Sequence, residues 1–234
     1  YYNAGSSEEF GDVVTSPQTE DHPLRPRSPY GASKCAARHL VKVYRDSYDM
    51  YAVQGWLFNH EGTRRGAEFV TRKITQNVAR IYHEYAVEES FEPLRLGNLE
   101  AQRDWSDSED FVDGVWRMLN QEDYWPHIKQ GGKPNDYVLS SDQTHTIKQF
   151  VEEAFNAAGF HRGECRWEGS KENTKYYHGD DLFVEVDPKF YRTAEVDLLW
   201  GNSSRARREL QWEPKTSFVE LVSKMVKHDL DLIS

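Results

Sequence analysis

At 234 residues the chain is long enough to bury a core of its own, and its formal net charge of -10 argues against a broad nucleic-acid surface, which needs a basic patch. Aromatic residues make up 13%, which argues against a disordered chain, and no apolar run approaches the ~20 residues of a membrane span. Only Cys35 and Cys165 are present, so a disulfide framework and a zinc site are not expected, no metal is assigned, and a reducing, cytoplasmic setting is the default.

Tyr1 to Ser7 reads as a strand end running into a loop, and the polar stretch Glu9 to Pro29, with Pro17, Pro23, Pro26 and Pro29, reads as a segment lying over a site. A helix is predicted from about Tyr30 to Ser47, with Ala36, Leu40, Val43 and Tyr44 at helical spacing. Tyr51 to Phe58 reads as a buried strand, Asn59 to Glu68 as a loop, and Phe69 to Tyr85 as a helix with Ile74, Val78 and Ile81 along one side. Leu94 to Leu96 is a short predicted strand. Ser106 and Glu109 have capping-box spacing ahead of a helix carrying Phe111, Val112, Val115, Trp116 and Leu119. Gln121 to Asn135 reads as a polar surface insertion, and Tyr137 to Leu139 as another strand. Thr146 and Gln149 repeat the capping box before a helix closing near Gly159. Phe183 to Val186 alternates as a strand, and late helices are predicted at Ser203 to Leu210 and Ser217 to Leu232, the second capped by Ser217 and Glu220. Early alternation of strand and helix predicts an α/β fold with a parallel sheet, followed by a smaller helix-rich lobe.

Chemistry concentrates near the start. Tyr30 and Lys34 are four positions apart, one turn on a helix face. An ammonium beside a phenol favours the phenolate and makes the tyrosine usable as an acid or base. Upstream, Ser6 and Glu8 are two residues apart, on one side of an extended segment. Glu9 competes with Glu8 for the acidic role, and Ser7 is the lesser candidate for the hydroxyl.

Tyr-x-x-x-Lys behind an upstream serine resembles the short-chain dehydrogenase/reductase superfamily, and Ser28-Pro29-Tyr30-Gly31-Ala32-Ser33-Lys34 resembles its extended, nucleotide-sugar branch. Leu57-Phe58-Asn59-His60-Glu61, Arg64-Arg65-Gly66, Phe69 to Ile74, Gly97-Asn98-Leu99, Arg103-Asp104-Trp105 and Tyr191-Arg192-x-x-Glu195-Val196-Asp197, taken in order, resemble the GDP-mannose 4,6-dehydratase family. The resemblance implies a Rossmann-like sheet, with residues 1–85 the C-terminal part of the dinucleotide-binding domain. Residues 86–234 would be mainly a substrate-binding lobe, with a late Rossmann segment near 108–145. It implies Ser6, Glu8, Tyr30 and Lys34 as catalytic, Lys34, His60 and Arg65 as contacts to NADP, and Asn59, Lys73, Arg103, Arg192 and Glu195 as contacts to GDP-mannose. A homodimer or homotetramer is expected, with no nucleic acid or membrane partner.

No Gly-x-Gly-x-x-Gly turn is present, so roughly the first third of such a protein is expected to precede Tyr1, judged by the ~30-residue βαβ repeat. Thr193 stands where the family's Tyr-Arg-Pro-x-Glu pattern has proline, and Ser106 and Asp107 depart from the family's residues after Arg103-Asp104-Trp105. An epimerase or reductase of the same branch is the nearest alternative, and a non-catalytic fragment is the other. Glu8 separates the dehydratase from the first of these, because only elimination of water needs a carboxylate there.

Overall fold

In the computed structural model, which describes residues 1–190 and 198–233, β1 (Tyr2–Ala4) leads through a 3-10 turn at Ser7–Glu9 and a long loop to α1 (Pro29–Tyr48). β2 (Val53–Leu57), β3 (Asn59–Glu61) and α2 (Val70–Ala86) follow. β4 (Leu94–Leu96), β5 (Gln102–Arg103) and β6 (Trp105–Asp107) precede α3 (Ser108–Leu119) and the short α4 (Pro126–Lys129). β7 (Tyr137–Leu139) and β8 (His145–Thr146) run into α5 (Ile147–Ala157), then β9 (Cys165–Glu168), β10 (Lys175–His178), β11 (Asp181–Val186) and β12 (Leu198–Leu199). α6 (Ser204–Leu210) and α7 (Phe218–Ile233) complete the described chain.

The chain divides into two units that exchange segments. The first holds Tyr1–His60, Arg103–Thr144 and Val196–Thr216; the second holds Glu61–Gln102, His145–Glu195 and Ser217–Ser234. The segment 61–85 therefore packs in the second unit.

In the first unit β1, β2 and β7 form a parallel sheet with β2 central, Ala4 beside Gly55 and Trp56 beside Val138. Every residue of β2 is buried, as a strand covered on both faces requires. Alternation sorts its side chains. Val53 and Leu57 enter a core with Phe111, Met118, Tyr137, Leu139, Leu210 and Trp212, whereas Trp56 packs on the opposite side with Phe10, Phe58, Val138 and Leu199.

α1 starts where Ser28 caps it, its Oγ accepting from Gly31 N at 3.0 Å, with Pro29 in the first turn. It ends at Asp49, which adopts the left-handed conformation with φ 52°. The apolar positions read from the sequence are not its inner face: Ala36, Leu40, Val43 and Tyr44 are exposed, and Gly31, Cys35, Val41 and Arg45 are buried. The inner face takes small and charged residues because Arg45 reaches Asp136, Nη1 to Oδ1 at 2.6 Å and Nη2 to Oδ2 at 2.9 Å.

α3 is capped by Asp107, whose side chain accepts from Glu109 N at 2.9 Å, not by Ser106, which is buried inside β6. Its Phe111 and Met118 enter the core, while Val112 and Trp116 are exposed. The stretch read as a surface insertion is anchored: Ile128 and Gln121 are buried, and Gln121 bonds Asn135 from both ends of its amide.

Asp104 is fully buried in this unit, its Oδ1 accepting from Ser141 N at 2.8 Å and Ser141 Oγ at 2.7 Å. Burial pushes its carboxyl up to about 7, against an ordinary aspartate value of ~3.9 in the unfolded chain. The folded state therefore holds more protons between those two values, and its stability falls as pH rises through that window. Urea midpoints at pH 4.5 and 7.5 should show this fall. The Asp104→Asn variant should lose that part of the pH dependence, and an unchanged pH dependence in the variant would refute the assignment.

In the second unit α2 buries Ile74, Val78 and Ile81 completely, the side its periodicity predicts. β4 pairs parallel with β11, which continues antiparallel to β10 and β9. Phe155, Phe160 and Phe183 form an aromatic core here, with centroids 4.8 Å apart for Phe160 and Phe183. The capping box at Thr146 forms, with Thr146 N on Gln149 Oε1 at 2.8 Å and Gln149 N on Thr146 Oγ1 at 3.0 Å. The box at Ser217 and Glu220 also forms. Among the described residues no helix is long and apolar enough to cross a membrane, and no group of three or more His, Cys, Asp or Glu is placed to hold a metal ion.

Candidate active site

Ser6 and Glu8 lie in the turn that follows β1, and Tyr30 and Lys34 in the first turns of α1, all within the first unit. Ser6 caps the 3-10 turn, its Oγ accepting from Glu8 N at 3.2 Å. That turn sits directly on the start of α1, and a Cβ on Gly31 would lie 2.7 Å from Glu8 O. Only glycine permits this approach.

Ser28 joins the two elements through one hydroxyl. Its Oγ accepts from Gly31 N and donates to Glu8 Oε2 at 3.1 Å. The Glu8 carboxylate is thereby held, while exposed, by a serine two residues before Tyr30 in the chain. Tyr30 keeps 53% of its surface accessible. Lys34 Nζ lies 5.6 Å from the Tyr30 ring centroid and donates to Ala4 O at 2.9 Å, which ties α1 to the end of β1.

The neighbouring acidic residue has a different environment. Glu9 is 0% exposed. Its Oε1 accepts from Ser6 N and from Gln54 Nε2, both at 2.9 Å, and its Oε2 accepts from Trp56 Nε1 at 3.0 Å. Burial pushes its carboxyl upward, opposed by these donors and by Arg38. Glu8 and Glu9, equivalent by composition, are thus separated by geometry, one facing outward and one facing in. The Ser6-x-x-Glu9 spacing is the sequence signal for this, since it is the capping box read elsewhere in the chain. Ser7 is buried as well.

Asn59 and His60 follow β2, where ligands bind at the strand ends of open parallel sheets. His60 Nδ1 donates to Phe58 O at 2.9 Å, and its ring lies 5.2 Å from that of Phe111. Arg103 is half-buried in β5. Arg65 and Lys73 belong to the second unit. Arg65 pairs with buried Glu61 at 3.1 Å, its guanidinium 3.5 Å over the Phe69 ring. Lys73 Nζ donates to Arg95 O at 2.6 Å and lies 3.8 Å over the Phe190 ring. Burial, with Lys189 nearby, moves the Lys73 ammonium below the ordinary lysine value. Arg192 and Glu195 lie outside the described residues.

The donor set suits a nicotinamide nucleotide. An ammonium has three N–H groups, and one of those on Lys34 goes to Ala4 O. The others match the hydroxyl oxygens of a ribose.

A parallel sheet whose strand end sets a serine and an exposed glutamate against a Tyr-x-x-x-Lys helix start defines a Rossmann-type α/β protein of the extended short-chain dehydrogenase/reductase class. A solved structure of RMD from Pseudomonas aeruginosa complexed with NADPH superposes with a TM-score of 0.75 at 19% identity, over 98% of this chain and 66% of that one. At that identity the likeness is one of fold.

The family model for GDP-mannose 4,6 dehydratase matches residues 1–225, and the chain belongs to that family. It is 43% identical to the GDP-mannose 4,6 dehydratase of Drosophila melanogaster over 100% of this chain and 55% of the relative. For the Dictyostelium discoideum relative the identity is 44%, over 100% of this chain and 61% of that protein. The chain spans little more than half the length of the curated relatives it matches.

Proposed function

We propose that the complete protein converts GDP-mannose to GDP-4-keto-6-deoxymannose, using NADP, in the cytoplasm, as a homodimer or homotetramer. The observation that carries this is the seating of Glu8. Its carboxylate is exposed, held by Ser28, and set against the helix start that bears Tyr30 and Lys34. Family membership and the NADPH-bound structural relative support the substrate and the cofactor.

The bound nicotinamide would supply hydride acceptance from sugar carbon 4 and its return at carbon 6. Tyr30 accepts the proton of the carbon 4 hydroxyl as a phenolate, whose negative charge the Lys34 ammonium one helical turn away balances until the proton arrives. Ser6 orients that hydroxyl. Once carbon 4 is a ketone, the proton on carbon 5 is acidic; Glu8 takes it and passes it to the carbon 6 hydroxyl, which leaves as water. After the return of hydride at carbon 6, the enolate takes a proton from solvent at carbon 5 while Tyr30 gives its own back to solvent. Lys34, His60 and Arg65 hold the nicotinamide nucleotide. Asn59, Lys73, Arg103, Arg192 and Glu195 hold GDP-mannose, its pyrophosphate suiting guanidinium forks.

The protein expressed from its complete gene, incubated with GDP-mannose and NADP, should give a sugar nucleotide lighter by one water in the mass spectrum. A product of unchanged mass would replace the dehydratase by an epimerase, and an unreacted substrate would remove the assignment.

A further inference from the structure

Glu9 has no part in the chemistry above, yet it occupies the best-connected position beneath it. Burying a carboxylate carries a desolvation cost that an apolar side chain of similar volume does not. What the carboxylate adds is direction. Gln54 and Trp56 alternate onto the same face of β2, and both aim N–H groups at Glu9. The same Oε1 that receives Gln54 also receives the backbone N–H of Ser6. Gln54 further bonds Asn3 in β1 through its Oε1, and the Glu9 carbonyl accepts from Cys35 Sγ in α1 at 3.7 Å. The fit leaves no slack: a Cβ on Gly5 would lie 2.0 Å from Gln54 Nε2 and 2.7 Å from Glu9 Oε1. Arg38 lies over Trp56, its guanidinium 5.4 Å from the ring centroid.

We propose that Glu9 is a positioning residue, which fixes the turn carrying Ser6 and Glu8 to the central strand and so aims both at the sugar, an assignment resting on the roles given to Ser6 and Glu8 above. Misplacement of a reacting group by about 1 Å costs on the order of 10²-fold in rate. Glu9 is bonded to Ser6 directly and to Glu8 only through the backbone of the turn, so its effect passes through those residues.

The test is a double-mutant cycle in the protein expressed from its complete gene, reading water loss from GDP-mannose by mass spectrometry alongside thermal melting. Glu9→Gln should lower kcat about 10²-fold, with KM and the melting temperature near those of the parent. In a Glu8→Gln background the same change should add less than about twofold, because residues acting as a unit are non-additive. An equal fall in both backgrounds would make Glu9 a merely structural residue, and an unchanged kcat would also overturn the proposal. Should Glu9→Gln not fold, Trp56→Phe withdraws one donor and keeps the ring and the carboxylate, and is judged by the same two criteria. A Glu8→Gln variant that turns over normally would instead remove the role of Glu8, an outcome separate from any result at Glu9.

Discussion

Glu8→Gln, made in the protein expressed from its complete gene, will lower the rate of water loss from GDP-mannose by about 10²–10⁴-fold, the usual worth of a positioned acid or base. The amide is the same size as the carboxylate, and the carbonyl oxygen can still accept from Ser28, so the turn keeps its seat on α1. What disappears is the ability to take a proton. KM should therefore move little while kcat falls, the pattern of an interaction made in the transition state alone. Deuterium uptake from solvent at carbon 5 should fall by the same factor, since that exchange needs the same base. A variant that eliminates water at the parental rate would exclude Glu8 as the base.

The second large effect concerns stability. Asp136 is buried and receives Arg45 through both guanidinium ends, Gln54 N at 2.8 Å, and Arg38 Nη2 at 3.7 Å. The Asp136 partnership holds the Arg45 guanidinium above even its usual value. Asp136→Ala leaves that cation buried without its partner, and breaking such a pair costs about 3–5 kcal/mol. Urea unfolding should show that loss as a lower midpoint at unchanged slope. Arg45→Met together with Asp136→Leu removes both charges and should recover most of it. A single variant within about 0.5 kcal/mol of the parent, the range of ordinary surface substitutions, would show that the pair does not brace α1 against the sheet.

How much of this was readable in advance depended on which physical signal each element carries. α2 was legible because Ile74, Val78 and Ile81 repeat at helical period and face one core. The helices after Thr146 and Ser217 were legible because their capping boxes are local and close as written. β9 and β10 carry no such signal. Cys165-Arg166-Trp167-Glu168 and Lys175-Tyr176-Tyr177-His178 are polar segments, with only Tyr176 buried, and their pairing with each other and with β11 comes from contacts remote in sequence. The inner face of α1 was not legible, because helical spacing says which residues share a face but not which face is buried. Leu40 and Tyr44 share one, and the sheet takes Cys35 and Arg45. At the site, Tyr30, Lys34 and the serine upstream were legible as a motif. The preference for Glu8 over Glu9 came from the resemblance, and the Ser6-x-x-Glu9 capping-box spacing carried the inward turn of Glu9, to which composition is blind.

The exchange of segments between the two units has a consequence for synthesis. Val53, Phe111 and Trp212 belong to one core, yet they leave the ribosome far apart in time, at about 5–20 residues per second. The nascent chain must carry β2 and its aromatic neighbours incompletely covered until Trp212 emerges. A ribosome stalled late in the message would release a product with that surface still open to aggregation.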